Sequence, residues 1–242
     1  MTSLDPHLDI PASALADRSR MLIVAALMDG RAYTAKELAY RAGISPQTAS
    51  FHLQRLSDAG LILCHPQGRH RYYRLAGEDV AAAIETMMTI APREHLKRQP
   101  MRAGCEIAFA RSCYDHLAGA LGVALAERMS DMGAVLSHGR DFALTPRGLH
   151  LARDIGLDPD GLARPGRPMI RHCLDWTERR FHFAGSLGKG LLGHFLAENW
   201  LRRGDGTRAL AVTAKGQQLF KTVFEIDTDA LAGESAARRE AG

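Results

Sequence analysis

The stretch TAKELAYRAGISPQTASFHLQRLSDAG, residues 34–60, decides the fold of the N-terminal part of this chain. Thr34 and Glu37 have the spacing of a capping box, which predicts the start of a helix. Ser45 and Pro46 are typical of an N-cap and a first helical turn, so a second helix is expected directly afterwards. Two helices separated by so short a turn indicate a helix-turn-helix.

The segments on either side of this stretch predict a winged form of the motif. Upstream, apolar residues between positions 14 and 27 recur at helical spacing. Downstream, Leu61–Leu63 and Arg69–Leu75 have the pattern of two strands, with residues 65–68 as the turn between them. Helix, helix, tight turn, helix and basic hairpin is the element order of a winged helix-turn-helix.

Charge in this region favours DNA as the partner. Asp58 is the only acidic residue between Ser45 and Leu75, whereas arginine and histidine recur on the third helix and the hairpin. Cationic groups bind phosphates, and short polar side chains in the first turns of a recognition helix suit base edges. The predicted DNA-binding residues are Ser45, Gln47, Thr48, Ser50, His52, Arg55, Arg69, His70 and Arg71. A helix-turn-helix core used for protein contacts is the alternative, and the cationic hairpin argues against it.

Residues 15–62 and 68–76 resemble the ArsR family of bacterial repressors. The most specific matches are the run Ser-x-x-Thr-Ala-Ser-x-His-Leu-x-x-Leu, Ser45–Leu56, and the run Gly-Arg-x-x-x-Tyr-Arg-Leu, Gly68–Leu75. The resemblance covers about the first third of the chain. It implies a homodimer on a palindromic operator and an inducer that weakens DNA binding.

The sequence departs from the metal-sensing members of that family. The helix before the recognition helix lacks the Cys-x-Cys motif, and residues 77–96 lack the Asp-x-His pair of the second common site. Both of the family's usual metal sites are therefore absent. Met87, Met88 and Ile90 are interpreted as apolar packing residues at a dimer interface.

The C-terminal half contains two segments that resemble each other. Each begins with Cys-x-Asp, continues with Ala-Gly-x-Leu-Gly and closes with Thr-x-x-Gly-x-x-Leu. The repeats cover about 110–158 and 170–227, and each is expected to form helix, hairpin and helix. Their role is either to enclose an effector pocket or only to enlarge a dimerisation domain.

Sulfur and imidazole ligands recur at similar places in the two repeats. Cys113 and His116 are predicted to lie one turn apart on a helix, and His172 and Cys173 come from the second repeat. If the repeats pack around a twofold axis, these four side chains could bind a thiophilic or borderline transition metal. The cysteines could instead be small buried apolar residues with solvent-facing histidines, or a thiol redox sensor.

Aromatic residues offer a different kind of effector site. Five of them are predicted to build the core of the second repeat or to line a pocket for an organic effector: Trp176, Phe181, Phe183, Phe195 and Trp200. The histidines at 150, 182 and 194 are interpreted as isolated surface or packed residues.

Composition and motifs exclude several classes of protein. Of the 242 residues 46% are hydrophobic and 24% are charged, and the formal net charge is +4. We expect a cytoplasmic protein, because no apolar run has the length of a membrane span and the N-terminus lacks a signal-peptide pattern. Four scattered cysteines argue against a disulfide scaffold. The glycine-rich run 185–190 does not have the pattern of a phosphate loop. No glycine-rich strand–turn–helix fingerprint follows Gly104, so no enzymatic activity is expected.

These observations predict a mainly α protein with short hairpins, of the α+β class. The predicted parts are a winged helix-turn-helix domain (1–91), a linker (92–104), a duplicated effector and dimerisation domain (105–228) and a disordered tail (229–242). The function predicted is a sequence-specific transcriptional regulator, a repressor that an effector releases from its operator. The alternatives are a DNA-binding head fused to a small-molecule enzyme and a non-specific architectural module.

Overall fold

The computed structural model describes residues 6–92, 101–138, 141–204 and 207–241. The chain divides into two compact units, residues 1–83 and 84–242. The division falls within a helix, ahead of the boundary at residue 91 that the sequence predicts. No helix in the described ranges has both the length and the apolar character needed to span a membrane.

The first unit is a winged helix-turn-helix, as predicted. Strands β1 and β2 both pair antiparallel with β3, and β2–β3 forms the wing. Thr34 and Glu37 form the predicted capping box, and the Ser45 hydroxyl accepts a hydrogen bond from the Thr48 amide. The elements are α1 Asp9–Leu15, α2 Arg18–Leu27, β1 Tyr33–Thr34, α3 Ala35–Ala42, α4 Pro46–Asp58, β2 Ile62–Gln67 and β3 His70–Leu75.

The wing is longer than the sequence predicts. Strand β2 continues through Gln67, so the turn consists of Gly68 and Arg69 rather than residues 65–68. Pro66 is compatible with this strand because β2 is an edge strand of the sheet. Gly68 has a φ of 58°, which a two-residue hairpin turn requires and glycine adopts readily.

The second unit alternates hairpins with helices. Four two-stranded hairpins, β4–β5, β6–β7, β8–β9 and β10–β11, are each followed by a helix. The elements are α5 Glu78–Ile90, which begins in the first unit, α6 Met101–Phe109, β4 Arg111–Cys113, β5 His116–Ala118, α7 Ala120–Asp131, β6 Val135–His138, β7 Asp141–Leu144, α8 Pro146–Asp154, β8 Arg171–Leu174, β9 Phe181–Ala184, α9 Gly185–Ala197, β10 Leu201–Arg203, β11 Leu210–Val212, α10 Ala214–Phe224 and α11 Thr228–Ala241.

The segments from β4 to α8 and from β8 to α10 have the same order of elements, hairpin, helix, hairpin, helix. Their last helices start in the same way. The Thr145 hydroxyl accepts from the Gly148 amide at 3.0 Å, and the Thr213 hydroxyl accepts from the Gly216 amide at 3.0 Å. The order differs from the predicted helix–hairpin–helix because each Cys-x-Asp motif lies in an additional hairpin. Duplication of the two segments stays a prediction.

The two segments pack against each other reciprocally. Helix α7 packs on β9, and α9 packs on β5. Isolated β-bridges connect Arg111 of β4 to Ala209, which lies between β10 and β11, and Phe142 of β7 to Ile170, which immediately precedes β8. The core between them is apolar and includes the stacked rings of Phe195 and Trp200, 4.9 Å apart.

Three predictions about this half are wrong. The tail from Thr228 to Ala241 is helical rather than disordered, because Leu231 packs on the core and Ser235 is buried. Residues 101–104 belong to α6 rather than to a linker, and residues 93–100 of the predicted linker lie outside the described residues. Phe181 is 50% exposed and is not a core residue.

Candidate functional site

The predicted DNA-binding residues, with one exception, lie on an exposed surface formed by α4 and the wing. Gln47, Thr48 and Ser50 are exposed in the first two turns of α4, after their N-cap Ser45. Arg55 is exposed one turn further on, and its guanidinium lies over the Phe51 ring at 5.2 Å. On the wing the exposed residues are Arg69, His70 and Arg71.

His52 is the exception and was wrongly predicted as a DNA contact. Its ring is 8% exposed and lies on the core side of α4. His52 Nδ1 is 3.4 Å from Arg20 Nη1, and Nε2 is 3.8 Å from a carboxylate oxygen of Asp17. Asp17 is the N-cap of α2, so His52 contributes to packing between α2 and α4.

A second candidate site lies in the second unit, where four buried side chains converge. We name Cys113, His116, Cys173 and His182 the Cys₂His₂ cluster. All four are buried, and one ligand atom from each lies within 4.8 Å of the others. The two sulfurs are 3.9 Å apart, and the two Nε2 atoms of the histidines are 3.2 Å apart.

Two hairpins supply the cluster, each with one cysteine and one histidine. Cys113 on β4 is directly opposite His116 on β5, and Cys173 on β8 is directly opposite His182 on β9. Directly opposed residues of an antiparallel pair extend from the same face of the hairpin. Both faces therefore carry a thiol beside an imidazole, and packing of the two hairpins brings the four groups together.

Carboxylates orient both imidazole rings. His182 Nδ1 is 3.2 Å from Asp175 Oδ2, and His116 Nδ1 is 3.4 Å from Asp115 Oδ1. A carboxylate beside Nδ1 favours a proton on that nitrogen and turns Nε2 toward the centre of the cluster.

Both carboxylates are paired with arginines. Asp175 is fully buried, 3.0 Å from Arg111 Nη2, and accepts from the Gly119 amide at 2.7 Å. Arg167 Nη1 is 2.9 Å from Asp115 Oδ2. The two arginines therefore balance the negative charges of the carboxylates beside the histidines, and no group of the cluster is needed for this balance.

Burial and hydrogen bonding strongly perturb the titratable groups. Burial raises the pKa of the Cys113 thiol, whereas a hydrogen bond from Cys113, opposed by burial, lowers the pKa of Cys173. Burial lowers the pKa of His182, but hydrogen bonds to Asp175 and Cys173 outweigh it and raise the pKa to about 9. Burial raises the pKa of Asp175, but Arg111 outweighs it and holds this carboxyl well below its usual range. Without a metal, the cluster therefore favours a thiolate beside an imidazolium.

The predicted ligand His172 is not part of the cluster. As the neighbour of Cys173 on β8, it points to the opposite face of the hairpin, where its ring stacks on Phe142 at 3.5 Å. The predicted helix through Cys113 and His116 is also wrong. These residues are paired across β4 and β5, and α7 begins only at Ala120.

His182 was missed, although the sequence contains a signal for it. The run His116-Leu-Ala-Gly matches His182-Phe-Ala-Gly, so the two histidines are equivalent when the repeats are aligned from Ala-Gly backwards. The extra residues between Cys173 and His182 hide this match when the alignment starts from the cysteines. Trp176 also has an unpredicted role, because the Arg111 guanidinium lies over its ring at 4.7 Å.

Comparison with known proteins agrees with the fold of the first unit. A family model described as a helix-turn-helix domain matches residues 15–65. The chain is 42% identical over 219 residues to the uncharacterized HTH-type transcriptional regulator YdfF of Bacillus subtilis, an alignment that covers 90% of this chain and 97% of YdfF.

Two further matches are confined to the N-terminal third. The HTH-type transcriptional regulator CmtR of Mycobacterium tuberculosis is 35% identical over 77 residues, 32% of this chain and 64% of CmtR. A solved homodimeric winged helix-turn-helix domain from Mycobacterium bovis, described as a possible ArsR-family regulator, is 29% identical and has a TM-score of 0.34. That match covers 39% of this chain and 93% of the solved domain.

Proposed function

This chain belongs to the HTH-type transcriptional regulators, and from that premise we propose that it is a homodimeric repressor whose operator binding is controlled by an effector in the second unit. The observation that carries the proposal is a division of labour between the two units. The first has an exposed polar and cationic surface, and the second has a buried cluster of two thiols and two imidazoles.

The α4 surface has the chemistry of sequence-specific recognition. The exposed amide of Gln47 and hydroxyl of Thr48 can donate to and accept from base edges in the major groove. Arg55, Arg69 and Arg71 supply exposed positive charge for the phosphates. This arrangement supports a recognition helix that reads bases while the wing holds the backbone.

Exposed apolar residues on α5 support a dimer. Met87 and Ile90 are 44% and 84% exposed, and apolar side chains exposed on one helix are typical of an interface. The Met88 sulfur instead accepts a hydrogen bond from Arg208 Nη2 of the same chain, at 3.8 Å. Light scattering on the full chain is expected to give twice the mass of 26.4 kDa, and to give the single mass for the variant Ile90→Glu.

The effector acts by binding one conformation of the dimer better than another. An effector with higher affinity for the DNA-incompetent conformation lowers operator affinity by the ratio of its two affinities. Binding of the effector to the second unit thereby controls transcription without a direct contact between effector and DNA.

Substitutions on α4 and the wing test the DNA-binding part. In fluorescence anisotropy with a selected operator and a scrambled duplex, Gln47→Ala is expected to reduce discrimination by about 1–3 kcal/mol at one base pair. Arg71→Ala is expected to weaken binding to both duplexes equally and to lower the salt slope by about one. His52→Ala is the control for the fold of α4: His52 is buried and packs against α2, so this variant is expected to lose stability and to keep the wild-type ratio of the two affinities. Equal affinity of the wild type for both duplexes would contradict sequence-specific regulation and support an architectural role.

A further inference from the structure

The sulfur–sulfur and Nε2–Nε2 distances in the Cys₂His₂ cluster match those of tetrahedral coordination around one ion. Zinc binds thiolate sulfur at about 2.3 Å and imidazole nitrogen at about 2.0–2.1 Å, and tetrahedral angles then separate two sulfurs by about 3.8 Å and two nitrogens by about 3.3 Å. The cluster has 3.9 Å between its sulfurs and 3.2 Å between its Nε2 atoms. A disulfide needs about 2.05 Å between sulfurs, so these cysteines are two separate thiol ligands.

The orientation of the histidines also places two imidazole nitrogens where they can share a proton or a metal ion. Nδ1 of each ring faces a carboxylate, and the two Nε2 atoms face each other across 3.2 Å. Two facing lone pairs repel unless a proton or a metal ion lies between them. In protein metal sites, a histidine that binds the metal through one ring nitrogen usually donates its other ring N–H to a carboxylate.

Charge balance favours a divalent ion. Two thiolates neutralise one divalent cation, and Asp115 and Asp175 are already neutralised by Arg167 and Arg111. Such a site brings no net charge into the protein interior, whereas an isolated thiolate or imidazolium there is destabilised.

We propose that the Cys₂His₂ cluster binds one divalent metal ion of the zinc class, in a closed tetrahedral site, and that this ion is the effector. The role of the ion as effector rests on the proposed function of the chain as an effector-controlled regulator. Two thiolates and two imidazoles select a borderline metal that accepts tetrahedral geometry. Because four protein ligands leave no position for substrate or water, the ion acts as a crosslink rather than as a catalyst.

The ion connects parts of the chain that are far apart in sequence. One cysteine and one histidine come from β4–β5, and the other two ligands come from β8–β9, about sixty residues later. Binding therefore adds a crosslink to the reciprocal packing of the two segments, which without the ion depends on the apolar core, the β-bridges and the contacts of Asp175 with Arg111 and Gly119. A conformation that places the two hairpins differently binds the ion less well, and this difference in affinity is what an effector needs.

Cobalt substitution tests the site in the full chain. The protein is stripped with a chelator under reducing conditions and titrated with Co²⁺, whose absorption reports both tetrahedral geometry and thiolate bonds. We expect about one Co²⁺ per chain, thiolate-to-cobalt charge-transfer bands and displacement by Zn²⁺. The variants Cys113→Ser and Cys173→Ser are expected to bind at least 100-fold more weakly, and Cys105→Ser, on α6, is the matched control.

The wild-type titration does not depend on how well the variants fold. Absence of Co²⁺ uptake by the folded, stripped wild type would overturn the site, as would wild-type Co²⁺ affinity and wild-type charge-transfer intensity in folded samples of both cluster variants. Circular dichroism of every sample identifies the folded ones.

The effector role is tested separately by DNA binding of the same samples. Zn²⁺ is expected to change the operator Kd of the wild type at least fivefold and to leave that of Cys173→Ser unchanged. Co²⁺ uptake with no effect of Zn²⁺ on a sequence-specific Kd would overturn the effector role and retain the metal site. Co²⁺ uptake by a protein without sequence preference would contradict the proposed function instead.

Discussion

The two hairpins of the Cys₂His₂ cluster present the same pair of ligands but are closed by different turns. In β4–β5 only Tyr114 and Asp115 separate Cys113 from His116, whereas β8–β9 continues past its cysteine and is closed by residues 175–180. In both, cysteine remains directly opposite histidine. The pairing across the strands is therefore the shared feature of the two hairpins, and the length of the turn can vary around it.

The longer turn places a carboxylate where the shorter one cannot. Asp175 lies at the start of the β8–β9 turn, and its oxygens accept hydrogen bonds from the Thr177 and Glu178 amides and from the Gly119 amide of the other segment. Asp115, within the shorter turn, contacts its histidine and Arg167. Asp175 thus connects the two segments directly through the Gly119 amide, whereas Asp115 reaches the second segment through Arg167, which also donates to the Gly185 carbonyl oxygen at 2.9 Å.

Neutralising each carboxylate should distinguish the direct connection made by Asp175 from the contact that Asp115 makes with Arg167. The loss of stability in these variants is the largest effect that we expect. Asp175→Asn leaves the buried Arg111 without its counter-charge, so the free energy of unfolding is expected to fall by about 3–5 kcal/mol. Asp115→Asn is expected to reduce stability less, because Asp115 is partly exposed. Urea denaturation of the stripped proteins measures both values. Equal losses would contradict the connecting role of Asp175.

The cluster shows why some features could be predicted from the sequence and others could not. Exposure of Gln47 and burial of Leu53 on α4 follow from helical periodicity, a local property. Selection of His182 over His172 depends on strand register, which pairs residues across a loop of arbitrary length. The residue types of the cluster could therefore be predicted from the sequence, whereas His172 was predicted in the place that His182 occupies.

Histidine substitutions test the two faces of β8–β9 separately. His182→Gln removes a direct ligand and is expected to lower Co²⁺ affinity at least 100-fold, about 2.7 kcal/mol, which exceeds the usual effect of outer-shell changes. His172→Gln, on the opposite face, is expected to change the affinity less than about threefold. Competition with a chelator of known affinity measures both. A large loss for His172→Gln would contradict the register of β8–β9.

Substitution of glycines on α7 and α9, the helices that follow the two cluster hairpins, tests how closely these helices pack against the hairpins. A Cβ at Gly188 would lie 2.1 Å from the Phe183 carbonyl oxygen and 3.1 Å from His116 Cβ, and one at Gly122 would lie 2.6 Å from the Leu117 oxygen and 3.6 Å from His182 Cβ. Both alanine variants are expected to lose about 1–3 kcal/mol by overpacking, Gly188→Ala the more. Gly193→Ala, with no atom within 4 Å of its Cβ, is the control on the same helix. Thermal unfolding measures the loss of stability in each of the three variants and so gives their order.

The smallest expected effect concerns the connection between β4 and helix α5. Arg208 Nη1 is 3.0 Å from Glu85 Oε1 on α5, and its main chain accepts a hydrogen bond from the Ser112 amide, next to Cys113, at 2.9 Å. This arginine joins the β4–β5 hairpin to the helix that begins in the first unit. If the connection transmits the state of the cluster, its loss should weaken the response to the effector without removing the metal.

The variant Arg208→Lys retains the charge beside the buried Glu85 but loses the second donor branch of the guanidinium. Its Co²⁺ affinity is expected to stay within about threefold of wild type, because Arg208 does not bind the ion. The Zn²⁺-dependent change in operator Kd should fall by about fivefold, which corresponds to about 1 kcal/mol of coupling free energy. Anisotropy titrations with and without Zn²⁺ measure the ratio. An unchanged ratio in a folded variant would show that α5 receives no signal through Arg208.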